Sequence, residues 1–180
     1  AYRNRDSNEV RDIFIARKIG DEWKKPYPAH NDNWKIAGCP VNGPMLAINK
    51  SNIALAWYTA ANDSAQVKVA FSKDIGKTFS SPVVIDQSMP IGRVDIEWID
   101  GESVIVSWIK STQKSSDILA RVVNINNDLG KEFFVKSIPQ GRISGYPQME
   151  VIGEKILFAW TEINKKTFVA TKWLSINELQ

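Results

Sequence analysis

"SKDIGKTF", residues 72–79, carries Ser72, Asp74, Gly76 and Thr78 at every second position and closes on the aromatic Phe79. A serine two residues from an acid suits either catalysis or a tight turn, and the flanking sequence separates the two. "NIALAW" (52–57) and "QVKVAF" (66–71) come before it, both short, apolar and rich in β-branched or aromatic residues. Such runs, separated by polar and Gly-containing stretches, read as strands joined by hairpins. The stretch then lies between the third and fourth strands of a β-unit. There Asp74 accepts backbone N–H groups, as in Asx-turns, and Gly76 admits a positive φ. Phe79 tucks under the turn, and Ser72 and Thr78 pair with backbone groups. The reading is structural.

Moving outward, the β-unit repeats. Trp57, Trp108 and Trp160 stand 51 and 52 residues apart and end "NIALAW", "SVIVSW" and "KILFAW". A second run follows each: "QVKVAF", "DILARV" and "TFVATK", with Ala70, Ala120 and Ala170 each 50 apart. "DIFIAR", with Ala16, fits the same slot 54 residues before Ala70. A period of about 50 residues is the size of a four-stranded propeller blade. In the second unit the strands are expected over 44–49, 53–58, 66–72 and 82–86. The third unit runs from about 93 to 138. The fourth begins near 145 and reaches its third strand or just into a fourth, and the first contributes its outer part, about 10–30.

The expected fold class is therefore all-β: a partial β-propeller of four-stranded antiparallel blades, about three to three and a half in number. The whole chain, 1–180, forms one unit with blades at 1–36 (partial), 37–88, 89–140 and 141–180 (partial). Propellers close on themselves, and an open stack leaves apolar blade faces bare. The chain is thus expected to be a piece of a longer polypeptide, to pair with a second copy, or to close poorly. Self-association follows from the second option.

Composition removes several function classes. The net charge of +3 is small, and its 23 Lys and Arg residues are scattered, so no nucleic-acid stripe is present. No apolar run reaches the ~20 residues of a membrane span. With one cysteine, Cys39, and one histidine, His30, the chain supplies neither an intrachain disulfide nor a Cys/His metal cluster, and no cofactor is expected. "AYRNRDSNEV" opens without a signal-like segment, so an upstream segment is expected to have been removed or not included.

"SKDIGKTF" also matches the Asp-box, or BNR repeat, pattern S-x-D-x-G-x-T-F/W. Eroded versions stand in the first and third units as "RKIGDEWKKP" and "NINNDLGKEFF". With "GCPVNGP", "GRVD" and "SGYPQM", most of the chain resembles bacterial secreted sialidase-like BNR-repeat proteins. The resemblance implies a secreted or periplasmic location and a glycan ligand of the sialic-acid type. It implies either glycoside hydrolase activity or, alternatively, a non-catalytic carbohydrate- or protein-binding propeller. It also implies that the Asp-box hairpin faces away from the site. Sialidases use a tyrosine nucleophile assisted by a glutamate, with a separate aspartate as acid/base; no residue of this sequence is assigned to those catalytic roles.

With that hairpin on the bottom, the blade-to-blade connections lie on top, where loops of several blades converge. Counting back from each repeat Trp aligns them. Thirteen residues before lie Pro44, Asp95 and Pro147; fifteen before, Asn42, Arg93 and Gly145; eighteen before, Cys39, Pro90 and Arg142. Arg93 and Arg142 are the candidates for binding an acidic sugar, because a guanidinium pairs bidentately with a carboxylate. The competing reading pairs Arg93 with Asp95. Asn42, Asp95 and Tyr146 complete the ligand-binding candidates, with Tyr58 and Glu97 nearby. Trp34, in "NDNWKI", breaks the repeat and is the aromatic assigned to carbohydrate contact. Cys39 reads as a small buried thiol rather than a nucleophile, and the three repeat Trp residues as packing between blades.

Overall fold

The computed structural model describes residues 1–141, 145–163 and 165–179. All its sheets are antiparallel, and the chain forms them in order. The first holds β1 (Tyr2–Arg3), β2 (Ile13–Ile15) and β5 (Tyr27–His30); β3 (Lys18–Ile19) and β4 (Glu22–Trp23) make a small hairpin between the last two. The second runs β6 (Met45–Asn49), β7 (Asn52–Thr59), β8 (Gln66–Ser72) and β9 (Val83–Asp86). The third runs β10 (Pro90–Trp98), β11 (Ser103–Ser111), β12 (Ser116–Asn124) and β13 (Leu129–Ile138). The fourth holds β14 (Gln148–Ile152), β15 (Lys155–Ile163) and β16 (Thr167–Ser175), followed by a 3₁₀ turn at Ile176–Leu179. This is a partial β-propeller, with full four-strand blades in the middle and three-strand blades at both ends. The first blade has one more strand than expected, β1, formed by residues before position 10.

The blades hold together because the central strands β7 and β11 are apolar on both faces. In β7, Ala54 and Ala56 face the third blade, whereas Leu55 and Trp57 face the first. In β11, Ile105 and Ile109 face the fourth blade, whereas Val104, Val106 and Trp108 face the second. The positions three before, one before and one after the repeat Trp thus look towards the next blade. The Trp itself looks back.

Each repeat indole also has a carboxylate. Trp57 Nε1 donates to Asp32 Oδ2 at 2.7 Å, and Trp108 Nε1 donates to Asp86 Oδ2 at 2.7 Å. Asp32 and Asp86 stand at the outer-strand ends of the preceding blades, so these bonds latch one blade to the next. Lys68 Nζ, 2.6 Å from Asp32 Oδ1, balances the first carboxylate. Trp160 Nε1 instead donates to Glu162 Oε2, 2.9 Å away on its own strand.

The turn at 72–79 is a closed hydrogen-bond unit. Asp74 Oδ1 accepts Lys77 N and Thr78 N, both at 2.9 Å, and Ser72 Oγ at 2.8 Å; Oδ2 accepts Thr78 Oγ1 at 2.7 Å. These donors hold the Asp74 carboxyl far below the usual carboxylate range. Gly76, at φ +68°, donates its N–H to Ser72 Oγ at 2.9 Å. Tyr27 OH donates to Gly76 O, and Ile75 N donates to Ser51 O at 3.0 Å, so the turn also ties the first blade to the β6–β7 hairpin. Ser72 and Asp74 are thereby fully committed to structure.

The fourth blade's outer face is bare. Its positions equivalent to the buried Val67, Val69 and Phe71 of β8 are Val169, Thr171 and Trp173, and Val169 and Trp173 are 72% and 50% exposed. At the other end, Leu46 and Ile48 of β6 are exposed, next to the slot where the first blade lacks an innermost strand.

Candidate functional site

The blade-entry loops interlock on the face opposite the 72–79 turn. Their centre is Asn42. Its Nδ2 donates to Ile91 O at 2.9 Å and its Oδ1 accepts Arg93 N at 3.0 Å. These bonds hold a bulge at the start of β10, where Gly92 and Arg93 take φ values of +85° and +55° and the register with β11 slips. A Cβ on residue 92 would meet the Asn42 amide at 2.7–2.9 Å, so only glycine fits.

The bulge aims the Arg93 side chain at the next entry loop. Its guanidinium donates to Gly145 O at 2.6 Å and to Gly141 O at 3.2 Å, and lies 5.4 Å from the Tyr146 ring centroid. Tyr146 OH returns to the second blade by donating to Val41 O at 2.7 Å. Asn42, Arg93 and Tyr146 thus form one assembly. Arg142 lies outside the described residues. Arg93 is only 9% exposed, with its guanidinium held on the Gly141 and Gly145 carbonyls. It is not paired with Asp95. That carboxylate caps the neighbouring innermost strand, accepting Met149 N at 2.7 Å and Ile96 N at 3.0 Å.

Burial pushes Asp95 up to about 6. Glu97, two residues on along β10, is raised to about 7, first by burial and then by Glu150 and Asp95. The innermost strands β10 and β14 therefore carry a small group of mutually repelling acids.

Two expectations are corrected. Trp34 is only 6% exposed: Arg3 lies over its ring at 4.7 Å and Tyr58 packs against it edge-on at 5.6 Å. It is a pillar under the loops and offers no open ring face to a sugar. Cys39 is exposed rather than buried, because "GCPVNGP" runs over the surface before it dives into β6.

Two features of this face escaped the sequence reading. The first is an open depression of about 520 Å³ lined by Arg5, Glu9, Arg11 and Cys39 among others. Arg5 makes a two-pronged pair with Glu9, and Arg11 reaches the same carboxylate at 3.3 Å. The Arg11 side chain is 14% exposed, and its buried Nε has no hydrogen-bond partner among the described residues. Two guanidinia thus share one carboxylate, leaving net positive charge. The signal was the arginine spacing in "RNRDSNEVR", whose Arg5 and Arg11 lie in the top loop between β1 and β2. Arg3 of the same run turns inward, donating to Asn42 O at 3.0 Å and Arg11 O at 2.7 Å; burial lowers it to about 10. The second feature is a pair of amide-lined hollows that meet at Asn33 and Lys35.

Among the described residues, no group of three or more His, Cys, Asp or Glu side chains is placed to hold a metal ion. No helix there is long and apolar enough to cross a membrane.

Antiparallel blades latched in sequence, with entry loops gathered on one face, define a sialidase-like fold. Among solved structures the chain is similar to the Hadza microbial sialidase Hz136, with a TM-score of 0.56 at 18% identity. The match covers 94% of this chain and 41% of that sialidase, so the chain spans less than half of its length. No protein-family model matches the chain, and no curated protein matches it by sequence.

Proposed function

We propose that this chain is part of a sialidase-like propeller that takes an acidic glycan on its loop-bearing face. The observation that carries the reading is the Arg5–Arg11 depression, where two guanidinia share the one carboxylate of Glu9. A sugar carboxylate entering there gains charge-assisted hydrogen bonds of the kind guanidinium makes best. Tyr146 lies on the adjoining loop that Arg93 and Asn42 hold in position, and Arg142 stands four residues before it in the sequence. Asp95 acts in support by fixing β14. A glycan ligand agrees with the secreted or periplasmic location that the family resemblance implies.

Calorimetry with N-acetylneuraminic acid and its methyl ester tests this. The acid binds, and the ester, which lacks the charge, binds at least about tenfold more weakly. Arg11→Gln loses the preference. Equal affinity for acid and ester, or no binding of either, sinks the proposal.

A hydrolytic reading is favoured by Glu97. A carboxyl titrating at about 7 keeps its proton in about half of the molecules at neutral pH and can pass it to a leaving oxygen. Turnover of a fluorogenic sialoside that disappears in Glu97→Gln supports hydrolysis. Binding without turnover supports the non-catalytic module.

A further inference from the structure

We infer that the two amide-lined hollows beside the arginine depression form a subsite for a neutral oligosaccharide of at least two sugar units. One hollow, of about 390 Å³, is lined by Asn4, Asn8, Asn31 and Phe14, among others. The other, of about 440 Å³, is lined by Asn62 and Asp63. Asn33 and Lys35 line both and form the saddle between them.

The chemistry of the lining selects the ligand. A sugar hydroxyl both donates and accepts, as a side-chain amide does. The amides of Asn4, Asn8, Asn31 and Asn62 make no hydrogen bond within the described chain, whereas that of Asn33 reaches Asn31 O at a long 3.4 Å. Asp6 Oδ1 is taken by Asn8 N and Val10 N at 2.8 and 2.9 Å, which leaves Oδ2 to accept a hydroxyl. Phe14 supplies an apolar patch for the C–H face of a ring. Lys35 is the single cation lining either hollow, too little for a phosphate or a polyanion, and the carboxylates of Asp6 and Asp63 disfavour both. No other aromatic ring lines either hollow for a base to stack on. The volumes sit near the lower end of the ~300–1,000 Å³ usual for ligand pockets, and two hollows across one saddle suit successive sugar units.

Asn33, Asn62 and Asp63 all take positive φ, at 57°, 54° and 57°. Glycine accepts that conformation without strain, so Asn33→Gly and Asn62→Gly delete the amides while keeping the loops. Lactose, cellobiose and mannobiose are titrated against the whole chain, with binding followed by calorimetry and by the ¹⁵N side-chain amide signals of asparagine. At least one disaccharide binds saturably and moves those signals. The Asn31→Ala/Asn33→Gly/Asn62→Gly variant binds it at least about tenfold more weakly, with its melting temperature unchanged. N-acetylneuraminic acid binding is unaffected in that variant, whereas Arg11→Gln loses the acid and keeps the disaccharide. The two sites therefore stand or fall separately. The inference is overturned if no disaccharide moves the asparagine amide signals, or if the triple variant binds as tightly as the parent.

Discussion

Replacing Asp86 with alanine breaks the latch between the second and third blades. Its carboxylate accepts Trp108 Nε1, Ser88 N and Ser88 Oγ at 2.7, 2.7 and 2.6 Å, and both Asp86 and Trp108 are buried. Asp86→Ala removes these charge-assisted bonds and leaves a buried indole N–H without an acceptor. A hydrogen bond to a charged group contributes about 1.5–3 kcal/mol, and a buried orphan donor costs about 1–3 kcal/mol. The expected loss is about 3 kcal/mol. Trp108→Phe removes the donor as well as part of the ring, so the pair is best measured as a double-mutant cycle. Urea unfolding of the parent, both single variants and the double variant, followed by far-ultraviolet circular dichroism at pH 7, gives the coupling energy. We expect about 2 kcal/mol, with the double variant much less destabilised than the sum of the singles. A coupling below about 0.5 kcal/mol would refute the latch and reduce Trp108 to an apolar filler. Glu162→Ala is the internal control: Trp160 meets that acid on its own strand, where water also reaches the carboxylate, so the loss stays near 1 kcal/mol.

Asp95 and Glu97 titrate higher in the folded chain than in the unfolded one, at about 6 and 7. Between about pH 4 and pH 7 the folded state therefore binds more protons, and stability falls as pH rises through that window. Melting curves across it, repeated on Asp95→Asn, check the sign; the variant has the flatter profile, and an unchanged slope rejects the assignment. The bare face of the fourth blade predicts association. Light scattering of the parent shows species larger than a monomer, and Val169→Lys/Trp173→Lys shifts it to monomer. A parent that is monomeric at high concentration rules this out.

The strand plan was legible because it rests on local pattern. In the second blade the expected strands differ from β6–β9 by at most one residue at either end, since alternation and Gly-containing turns fix them. The blade-packing role of the three Trp residues was also legible from their period. Their acceptors were not. Asp32 and Asp86 lie 25 and 22 residues ahead of the Trp they serve, and that pairing exists only once the blades are stacked. The top face was harder for a similar reason. Asn42 and Arg93 were placed in the right blade entries, yet a bulge turned to positive φ at Gly92 and Arg93 decides where the Arg93 side chain points, and sequence spacing does not carry that. Trp34 broke the repeat and so looked functional, but it does so because the entry loop folds inward to carry Arg3 and Tyr58. Arg5 and Arg11 were overlooked because the candidates were counted back from the repeat Trp residues, and the first blade has no such Trp to count from.

The Trp–acid latch bears on how such a chain changes its length over evolutionary time. Donor and acceptor belong to different repeats, so a duplicated repeat brings one indole for its predecessor's acid and one acid for its successor's indole. Blades can then be added or lost in whole units with every repeat indole still satisfied. The fourth blade is different. The residues 22 and 25 before Trp160 are Ile138 and Val135, so neither of those offsets supplies an acid to this indole. Glu162, two residues after the indole, supplies it instead. What the three units share at this position is a satisfied donor, and acids at different distances along the chain satisfy it.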